Sequence, residues 1–407
     1  MKPTRLDAWI METEGLASLT RETLQALQLA RLNALLAKEK ARGGFYRDLP
    51  CSLGSLRELS SLPFTTAKEL SLHASAMLLG SQSQIKRVIS GQTSGTQGAV
   101  KRVFYTEGDL RNTVGFFAAG LGELVFPGER VMIAMPFSGS GGLGDLIAQA
   151  IIRLEAEPLC VGVSKSYDEL CSVLVAKRPS VYVGMPVPLL SLLRYTGGCS
   201  LKRALVSADA TPQSVTEGAQ AILGTKLFPH YGAREMGLGG AVTCPAHEGM
   251  HLRENHIIAE IIGPDGLPAP LGAAGELVVT TIGMQALPLI RYKTGDTARI
   301  LRSPCACGGV TMRLDGVRRL AQDYDIVQLD EAMFRVSSLL DYSARLCSGR
   351  LEISALTKGP PEYGALESAA SSCFPGLPVR LDARAANGGD IAGQAQKRIL
   401  CQAGLAF

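Results

Sequence analysis

The chain has 407 residues, 46% of them hydrophobic and 19% charged, which is typical of a globular protein with two or more domains. Its 41 basic and 37 acidic residues give a formal net charge of +4. This balance excludes a strongly basic nucleic-acid-binding surface, and one tryptophan does not suggest a base-stacking platform. No apolar run reaches the length of a membrane span, and the N-terminus predicts an amphipathic helix instead of a signal peptide. We therefore expect a cytoplasmic protein with no nucleic-acid or membrane partner.

The first 80 residues are predicted to be a helical lead-in, because apolar residues recur with helical spacing over 8–42. From about 85 to 310, β-rich runs alternate with helical stretches, which indicates an α/β fold with substantially parallel sheets. The strands predicted there include 130–135, 180–183 and 202–207, and the helices include 143–156, 166–177 and 213–223.

A further strand is predicted over 275–281, preceded by a hairpin turn at Gly263-Pro264-Asp265-Gly266. The last ninety residues show a short α+β pattern. We place a domain boundary near 315–322, which separates a large multi-layer α/β domain (1–316) from a small, mobile α+β domain (317–407).

The segment 90–103 combines three glycines and four hydroxyl side chains with the cations Lys101 and Arg102. Free backbone N–H groups, hydroxyls and a nearby cation can surround phosphate oxygens. An ordinary surface loop is the commoner meaning of such a composition. The segment also lacks the Gly-Lys-Ser/Thr ending of a P-loop and the G-x-G-x-x-G spacing of a dinucleotide turn, so a phosphate site here belongs to another architecture.

Two later segments have candidate nucleotide chemistry. The first is His230-Tyr231-Gly232-Ala233-Arg234-Glu235, and the second is Arg291-Tyr292-Lys293-Thr294-Gly295-Asp296. Taken alone, each is more typical of a surface turn. An aspartate held at a strand end can, however, accept two hydrogen bonds from a vicinal diol such as a ribose.

In this order and at these separations, the three segments resemble the adenylate-forming superfamily, and within it phenylacetate–CoA ligases and their relatives. Residues 44–47, 62–70 and 184–186 resemble further segments of the family, and the resemblance covers roughly 20–340. It implies an ATP-dependent, AMP-forming ligation of a small or aromatic carboxylic acid to CoA through an acyl-adenylate. Catalysis of this kind depends mostly on positioning and charge neutralisation.

The resemblance also implies roles for individual residues. ATP phosphates would be held by Thr93, Ser94, Gly95, Thr96 and Gly98, with Lys101 supplying charge. Glu235 would help to hold Mg²⁺, Asp296 would bind the ribose hydroxyls, and Arg291 would steady the ribose region. The residues expected around adenine and the acyl-adenylate are Tyr231, Gly232, Ser207, Ala208 and Asp209. Phe137 and Gly141 lie in the segment that corresponds to the acid pocket, although an apolar residue after a strand is more often core.

Cys244 and His251 are seven residues apart, and Cys305-Ala306-Cys307-Gly308-Gly309 follows. Three cysteines and a histidine form an ordinary tetrahedral zinc set. Separate free thiols and a disulfide are the alternatives. Some phenylacetate–CoA ligase relatives have the same Cys–His and Cys-x-Cys-Gly pattern, which favours structural zinc, with His247 as a spare ligand.

Three departures from the family pattern keep other functions open. Arg234 replaces the usual Thr or Ser beside Glu235, and residues 316–320 lack the acidic hinge. The C-terminal lysine expected after a glycine is represented by the nearby Lys397, with Gln394 at its position. The alternatives are therefore an adenylating enzyme with a non-CoA acceptor and a nucleotide-binding or regulatory homologue with impaired catalysis. A homodimer is also left open.

Overall fold

The computed structural model describes residues 3–92, 100–320, 326–347, 349–393 and 401–402. The helices are α1 (Arg5–Glu14), α2 (Arg21–Arg42), α3 (Ala67–His73), α4 (Glu107–Leu121), α5 (Leu143–Arg153), α6 (Tyr167–Lys177), α7 (Pro186–Thr196), α8 (Gln213–Leu223), α9 (Ile326–Met333) and α10 (Tyr363–Cys373). Short 3-10 helices occur at Leu56–Ser61, Gln82–Gln84 and Arg234–Met236.

The strands are β1 (Ile85–Gln92), β2 (Val100–Thr106), β3 (Arg130–Ala134), β4 (Glu157–Cys160), β5 (Val181–Gly184), β6 (Arg203–Val206), β7 (Phe228–Tyr231), β8 (Ala241–Thr243), β9 (Met250–Leu252), β10 (Ile257–Ile262), β11 (Gly275–Thr281), β12 (Tyr292–Ile300), β13 (Arg313–Arg319), β14 (Leu339–Cys347), β15 (Arg350–Thr357), β16 (Val379–Ala385) and β17 (Cys401–Gln402).

The helical stretch predicted over 8–42 is divided into α1 and α2. Gly15 ends α1 in the left-handed conformation, with φ of 64°. Thr20 begins α2 with a reciprocal capping box to Thr23. Hydrophobic periodicity runs through this break because both helices contribute apolar residues to the core, whereas the stop and start depend on the caps.

The chain divides into two compact units. The first comprises Met1–Glu123 and His230–Leu320. Its larger sheet has the order β10-β11-β12-β13-β9-β8-β7 and is antiparallel throughout. A separate antiparallel hairpin is formed by β1 and β2. Buried apolar side chains from α3, from the turn after it and from the strands fill the space against this sheet, among them Leu70, Met77, Leu252, Leu277 and Leu314.

The second unit comprises Leu124–Pro229 and Ala321–Phe407. Its parallel strands have the order β7-β6-β5-β3-β4, and Phe228 and Pro229 supply the β7 part. A smaller mixed sheet has the order β16-β15-β14-β17. Arg194 of α7 donates hydrogen bonds to the carbonyl oxygens of Phe334, Val336 and Leu339, so the segment after α9 is tied to the helices of the parallel layer.

The predicted α/β class and the smaller C-terminal sheet are confirmed. The parallel strand pairs are in the second unit, whereas the predicted strand 275–281, which is β11, pairs antiparallel with β10. The domain boundary near residue 316 stays a prediction. In the described part of the chain, no helix combines the length and the apolar character that crossing a membrane requires.

Candidate active site and metal centre

Three elements of the first unit bring the predicted nucleotide residues together. Lys101 lies on β2, Tyr231 ends β7, and Asp296 lies on β12. Glu235 follows β7 within the 3-10 helix Arg234–Met236. Gly232 permits a tight turn between Tyr231 and Glu235, because a Cβ at position 232 would collide with the carbonyl oxygen of Leu238. The turn therefore returns Glu235 to the sheet directly after Tyr231.

Glu235 and Lys101 form a buried ion pair. The Lys101 ammonium contacts Glu235 Oε1 and lies 3.2 Å from the Tyr292 hydroxyl. The Tyr292 hydroxyl also donates to Glu235 Oε1, at 3.3 Å. Burial opposes ionisation of Glu235, but Lys101 and then Arg234 outweigh it and lower its pKa below the ordinary value. The carboxylate is therefore charged at neutral pH, with its partner in place.

Asp296 is held from two sides. Its Oδ2 accepts a hydrogen bond of 2.8 Å from the Tyr231 hydroxyl, and its Oδ1 lies 3.0 Å from Arg319 Nη1. Arg319 is opposite Asp296 in the pairing of β12 with β13. Burial, followed by the charge of Asp296, raises the pKa of Tyr231 well above its ordinary value. Tyr231 is thus a neutral donor that orients the carboxylate predicted to bind ribose.

Arg291 is held by several contacts within the first unit. It is buried at 2% exposure, and its guanidinium forms a bidentate pair with Glu260 at 3.0 Å for both contacts. The same guanidinium donates to the carbonyl oxygens of Ser60 and Leu62. These contacts anchor the start of β12 to the 3-10 helix Leu56–Ser61, and the predicted role of Arg291 beside the ribose stays a prediction.

The other residues predicted to act on the nucleotide or the acid lie in the second unit or outside the described residues. Thr93, Ser94, Gly95, Thr96, Gly98 and Lys397 lie outside the described residues. Ser207, Ala208 and Asp209 follow β6 in the second unit, where Ala208 has φ of 70°. Phe137 and Gly141 also lie in the second unit, between β3 and α5.

The segment that contains Phe137 and Gly141 has an ordered local geometry. The Gly141 N–H donates to Asp145 Oδ2 at 2.7 Å. The ring of Phe137 lies over Gly144, where an added Cβ would approach it to 2.8 Å. Phe137 is 39% exposed, so it is not a buried core residue. The predicted contact with the acid stays a prediction.

Cys244, His251, Cys305 and Cys307 form a compact group in the first unit. Their donor atoms all lie within 4.8 Å of one another. Cys244 Sγ is 3.6 Å from Cys305 Sγ, and Cys307 Sγ is 3.3 Å from His251 Nε2. Two thiolates bound to one tetrahedral zinc are about 3.8 Å apart, as Zn–S bonds of about 2.3 Å require. The donor set and its spacing therefore fit zinc, and Cys244, Cys305 and Cys307 are free thiols in the structure.

The surroundings of this group also suit a closed metal centre. His251 Nδ1 lies 3.0 Å from the Thr311 hydroxyl, which leaves Nε2 for the metal. The loop after the cysteines is tied to the N-terminal helices, since the Val310 N–H donates to Asp7 Oδ2 at 3.1 Å and Arg21 donates to the Val310 carbonyl. Cys244, His251 and Cys305 are buried. A metal here would therefore be structural.

The predicted Mg²⁺ site is less complete in its protein ligands. Glu235 is the carboxylate assigned to it, and Lys101 and Tyr292 already contact its Oε1. Among the described residues, the cysteine–histidine set is the group of three or more side chains that could hold a metal ion. The assignment of Mg²⁺ to Glu235 stays a prediction.

No protein-family model matches the chain, but individual relatives do. A phenylacetate-coenzyme A ligase of Thermus thermophilus is 30% identical over 339 residues, covering 78% of this chain and 75% of the relative. A phenylacetate-coenzyme A ligase of Escherichia coli is also 30% identical, over 301 residues, covering 69% and 68%. The chain belongs to the phenylacetate–CoA ligase family. The predicted family is thereby confirmed.

Solved structures agree with this membership at the level of the fold. A 2-hydroxyisobutyryl-CoA ligase in the postadenylation state has a TM-score of 0.75 at 18% identity, covering 94% of this chain and 90% of that chain. An anthranilate CoA ligase in complex with anthranoyl-AMP has a TM-score of 0.52 at 13% identity, covering 85% and 68%. Both similarities extend well beyond the motif segments, so the fold is shared as a whole.

Lys101, Tyr231, Glu235 and Asp296 are called the nucleotide cluster after the ligand predicted for them. Sequence reasoning missed two residues that contact this cluster. Tyr292 stands inside the quoted Arg-Tyr-x-Thr-Gly-Asp segment, so its place was visible, but its contact with Lys101 was not. Arg319 was noted only as a departure from the hinge pattern. Its ion pair with Asp296 depends on the register of β12 and β13, for which the sequence has no local signal.

Proposed function

We propose that this member of the phenylacetate–CoA ligase family is an ATP-dependent, AMP-forming carboxylic acid–CoA ligase that acts on a small or aromatic acid. Family membership at 30% identity supports the reaction class. The observation that supports it in the structure is the convergence of Lys101, Glu235, Tyr231 and Asp296 from separate elements of one unit. These are the residues that the family resemblance assigns to ATP.

The proposed reaction has two steps. A carboxylate oxygen of the acid attacks the α-phosphorus of ATP, the bond to the bridging oxygen breaks, and pyrophosphate leaves with its electron pair. The CoA sulfur then attacks the acyl carbon, AMP leaves as a phosphate anion, and the thiol proton passes to solvent or a base. The first step needs stabilisation of charge on phosphate oxygens and alignment of the reactants more than a protein nucleophile.

The described residues supply parts of that stabilisation. Asp296 accepts hydrogen bonds from the ribose hydroxyls, and the Tyr231 hydroxyl holds its carboxylate in orientation. Lys101 places a positive charge beside the predicted phosphate region, and Glu235 holds the ammonium there. Because these groups are buried or half-buried, their geometry is set before the nucleotide arrives, and little reorganisation is needed.

We further propose that Cys244, His251, Cys305 and Cys307 hold one structural zinc ion. Burial raises the pKa of the Cys244 and Cys307 thiols, so a bound cation would be needed to keep them as thiolates. The ion would cross-link the loop after β8 to the loop between β12 and β13. We also propose a cytoplasmic location, and Mg²⁺ is the cation that the family resemblance implies for ATP.

A nucleotide-binding homologue with impaired catalysis is the second candidate. Arg234 favours it, because this cation stands beside Glu235 where relatives usually have Thr or Ser. The two candidates share nucleotide binding and differ in whether pyrophosphate is released. An enzyme with a non-CoA acceptor would still release pyrophosphate and would differ only in the second step.

The test is incubation of the purified chain with ATP, Mg²⁺ and a panel of acids that includes phenylacetate, 2-hydroxyisobutyrate and anthranilate. Pyrophosphate and AMP are assayed with and without CoA. We expect pyrophosphate with at least one acid, and AMP release that depends on CoA. Glu235→Gln should reduce the rate, whereas Glu157→Gln, on an exposed ion pair with Arg130, should not.

The outcomes separate the candidates. ATP binding without pyrophosphate from any acid would overturn catalysis for that panel and favour the nucleotide-binding homologue. Pyrophosphate release with no effect of CoA on AMP would indicate another acceptor. No ATP binding would overturn both.

A further inference from the structure

Arg234 is held from both ends by the hairpin of β1 and β2. Its carbonyl oxygen accepts a hydrogen bond of 2.7 Å from the Tyr105 hydroxyl of β2. Its Nη1 donates to the carbonyl oxygen of Ser90 on β1, at 3.3 Å. Arg234 is nevertheless exposed. The guanidinium is therefore positioned by the hairpin while solvent, or a dissolved ligand, can reach it.

The Arg234 guanidinium fills the space that a side chain at Gly91 of β1 would occupy. A Cβ built on Gly91 would overlap Arg234 Nη1 and lie 2.6 Å from its Cζ. Gly91 is paired with Lys101 in the β1–β2 register. Side chains of directly opposed residues in antiparallel strands lie on the same face, with Cβ atoms about 5 Å apart. The Arg234 guanidinium thus lies on the face of the hairpin from which the Lys101 side chain projects.

The charges of this group do not cancel. Glu235 supplies the one negative charge that Lys101 contacts directly. Among the described residues, the guanidinium of Arg234 has a neutral carbonyl as its hydrogen-bond partner. A guanidinium has five N–H donors, so most of them are available to a ligand. One unit of positive charge remains for an anion.

We propose that Arg234 and Lys101 together bind a phosphate group of the nucleotide directly, so that this chain holds ATP and pyrophosphate without a divalent cation. This deepens the proposed function and rests on it, since the ligand is the polyphosphate of the same site. A planar guanidinium contacts two phosphate oxygens at once, and an ammonium adds a point charge.

The arrangement conflicts with a metal ion bound to Glu235. Such an ion would displace the Lys101 ammonium from Glu235 and lie next to a second cation at Arg234. Glu235 thus positions Lys101, and the two cations carry out the charge neutralisation for which a metal ion was predicted.

The test measures equilibrium binding of ATP and of inorganic pyrophosphate by calorimetry, in EDTA and in Mg²⁺. For the wild type we expect dissociation constants in the two buffers to agree within about threefold. Arg234→Thr should weaken binding in EDTA about tenfold or more, the loss of a charge-assisted contact, and weaken it less in Mg²⁺. Arg102→Thr is the matched control, because it removes the same charge from the neighbouring position of β2, which points to the other face.

A second variant tests the geometry without removing a charge. Gly91→Ala should displace the guanidinium and reduce binding in EDTA as Arg234→Thr does. Combined with Arg234→Thr, it should add little, because both changes act on one contact. Thermal unfolding and circular dichroism of each variant establish that the fold is retained.

Each outcome has a distinct meaning. Wild-type binding that appears only with Mg²⁺, or Arg234→Thr binding in EDTA that matches the wild type, overturns this inference and leaves the proposed ligase function intact. Absence of ATP and pyrophosphate binding in both buffers overturns the proposed function itself. An equal loss in Arg102→Thr would mean general electrostatic attraction and would also overturn the inference.

Discussion

Two groups of side chains in the first compact unit differ in whether their members are charged and paired or buried and neutral. The nucleotide cluster consists of charges that already have partners, as in Lys101 with Glu235 and Asp296 with Arg319. The cysteine–histidine group consists of buried donors that favour their neutral forms. Burial raises the pKa of Cys244 and Cys307, and burial followed by Arg313 lowers the pKa of His251 to about 4.

The difference indicates what each group needs to persist. Paired charges stabilise one another, so the nucleotide cluster keeps its geometry before a ligand binds. The clustered thiols and the imidazole are stabilised most by a bound cation, because their lone pairs then ligate a metal ion that links their loops. We therefore expect the fold to depend on zinc at one group and to tolerate an absent nucleotide at the other.

Removing a zinc ligand should have the largest effect. Cys305→Ser is expected to lower bound zinc from about one equivalent to well below half and to reduce the free energy of unfolding by about 5 kcal/mol. Metal analysis after purification without chelator and denaturant unfolding measure the two quantities. Cys51→Ser, at an exposed thiol, is the control. Less than half an equivalent in the wild type would contradict the zinc assignment.

The nucleotide cluster should be weakened by removing one of its charges. Lys101→Met leaves Glu235 buried without its cation, which we expect to cost about 3 kcal/mol in unfolding free energy. Adding Glu235→Gln should recover part of that loss, because the uncompensated charge disappears. Denaturant unfolding of the two single variants and the double variant measures the coupling. Strictly additive losses would show that the pair does not stabilise the cluster.

The ribose role of Asp296 concerns ligand affinity more than stability. Asp296→Ala should weaken ATP binding by about tenfold, the equivalent of about 1.4 kcal/mol, because two acceptor oxygens are lost. Calorimetry with ATP measures the effect. Asp315→Asn is a suitable control, since Asp315 pairs with Arg299 on the same two strands at the surface. Unchanged affinity in Asp296→Ala would refute the ribose assignment.

The smallest effect is a pH dependence next to the nucleotide cluster. Burial lowers the pKa of His230 to about 4, whereas an unfolded histidine titrates near 6.5. The unfolded chain therefore takes up the proton first, and the contribution of His230 is intact above about pH 6.5 and lost as the pH falls towards 4. The slope contributed is at most about 1.4 kcal/mol per pH unit.

Denaturant unfolding at pH 7.5 and pH 5 tests this dependence. His230→Asn should destabilise the protein less at pH 5 than at pH 7.5, by up to about 2 kcal/mol. An equal effect of His230→Asn at both pH values would contradict the prediction.

Much of the local structure could be predicted because its signals lie close together in the chain. The helices α5, α6 and α8 were expected from periodicity, and the strand Gly275–Thr281 was expected with the same bounds. The convergence of Cys244, His251, Cys305 and Cys307 was also predictable, since Cys-x-Cys-Gly-Gly and a nearby Cys–His pair are sufficient to suggest one tetrahedral set. The family followed from the order of three short motifs, which single motifs would not have supported.

Long-range packing determines the partners of the charged side chains, and no local sequence pattern predicts them. Lys101 meets Glu235 across 134 residues of chain, and Arg319 meets Asp296 through a strand register. Arg291 pairs with Glu260 because burial demands a counter-charge for its guanidinium. The residue types thus indicated which chemistry the chain contains, whereas tertiary folding determined which charged side chains meet and which of them are buried in ion pairs.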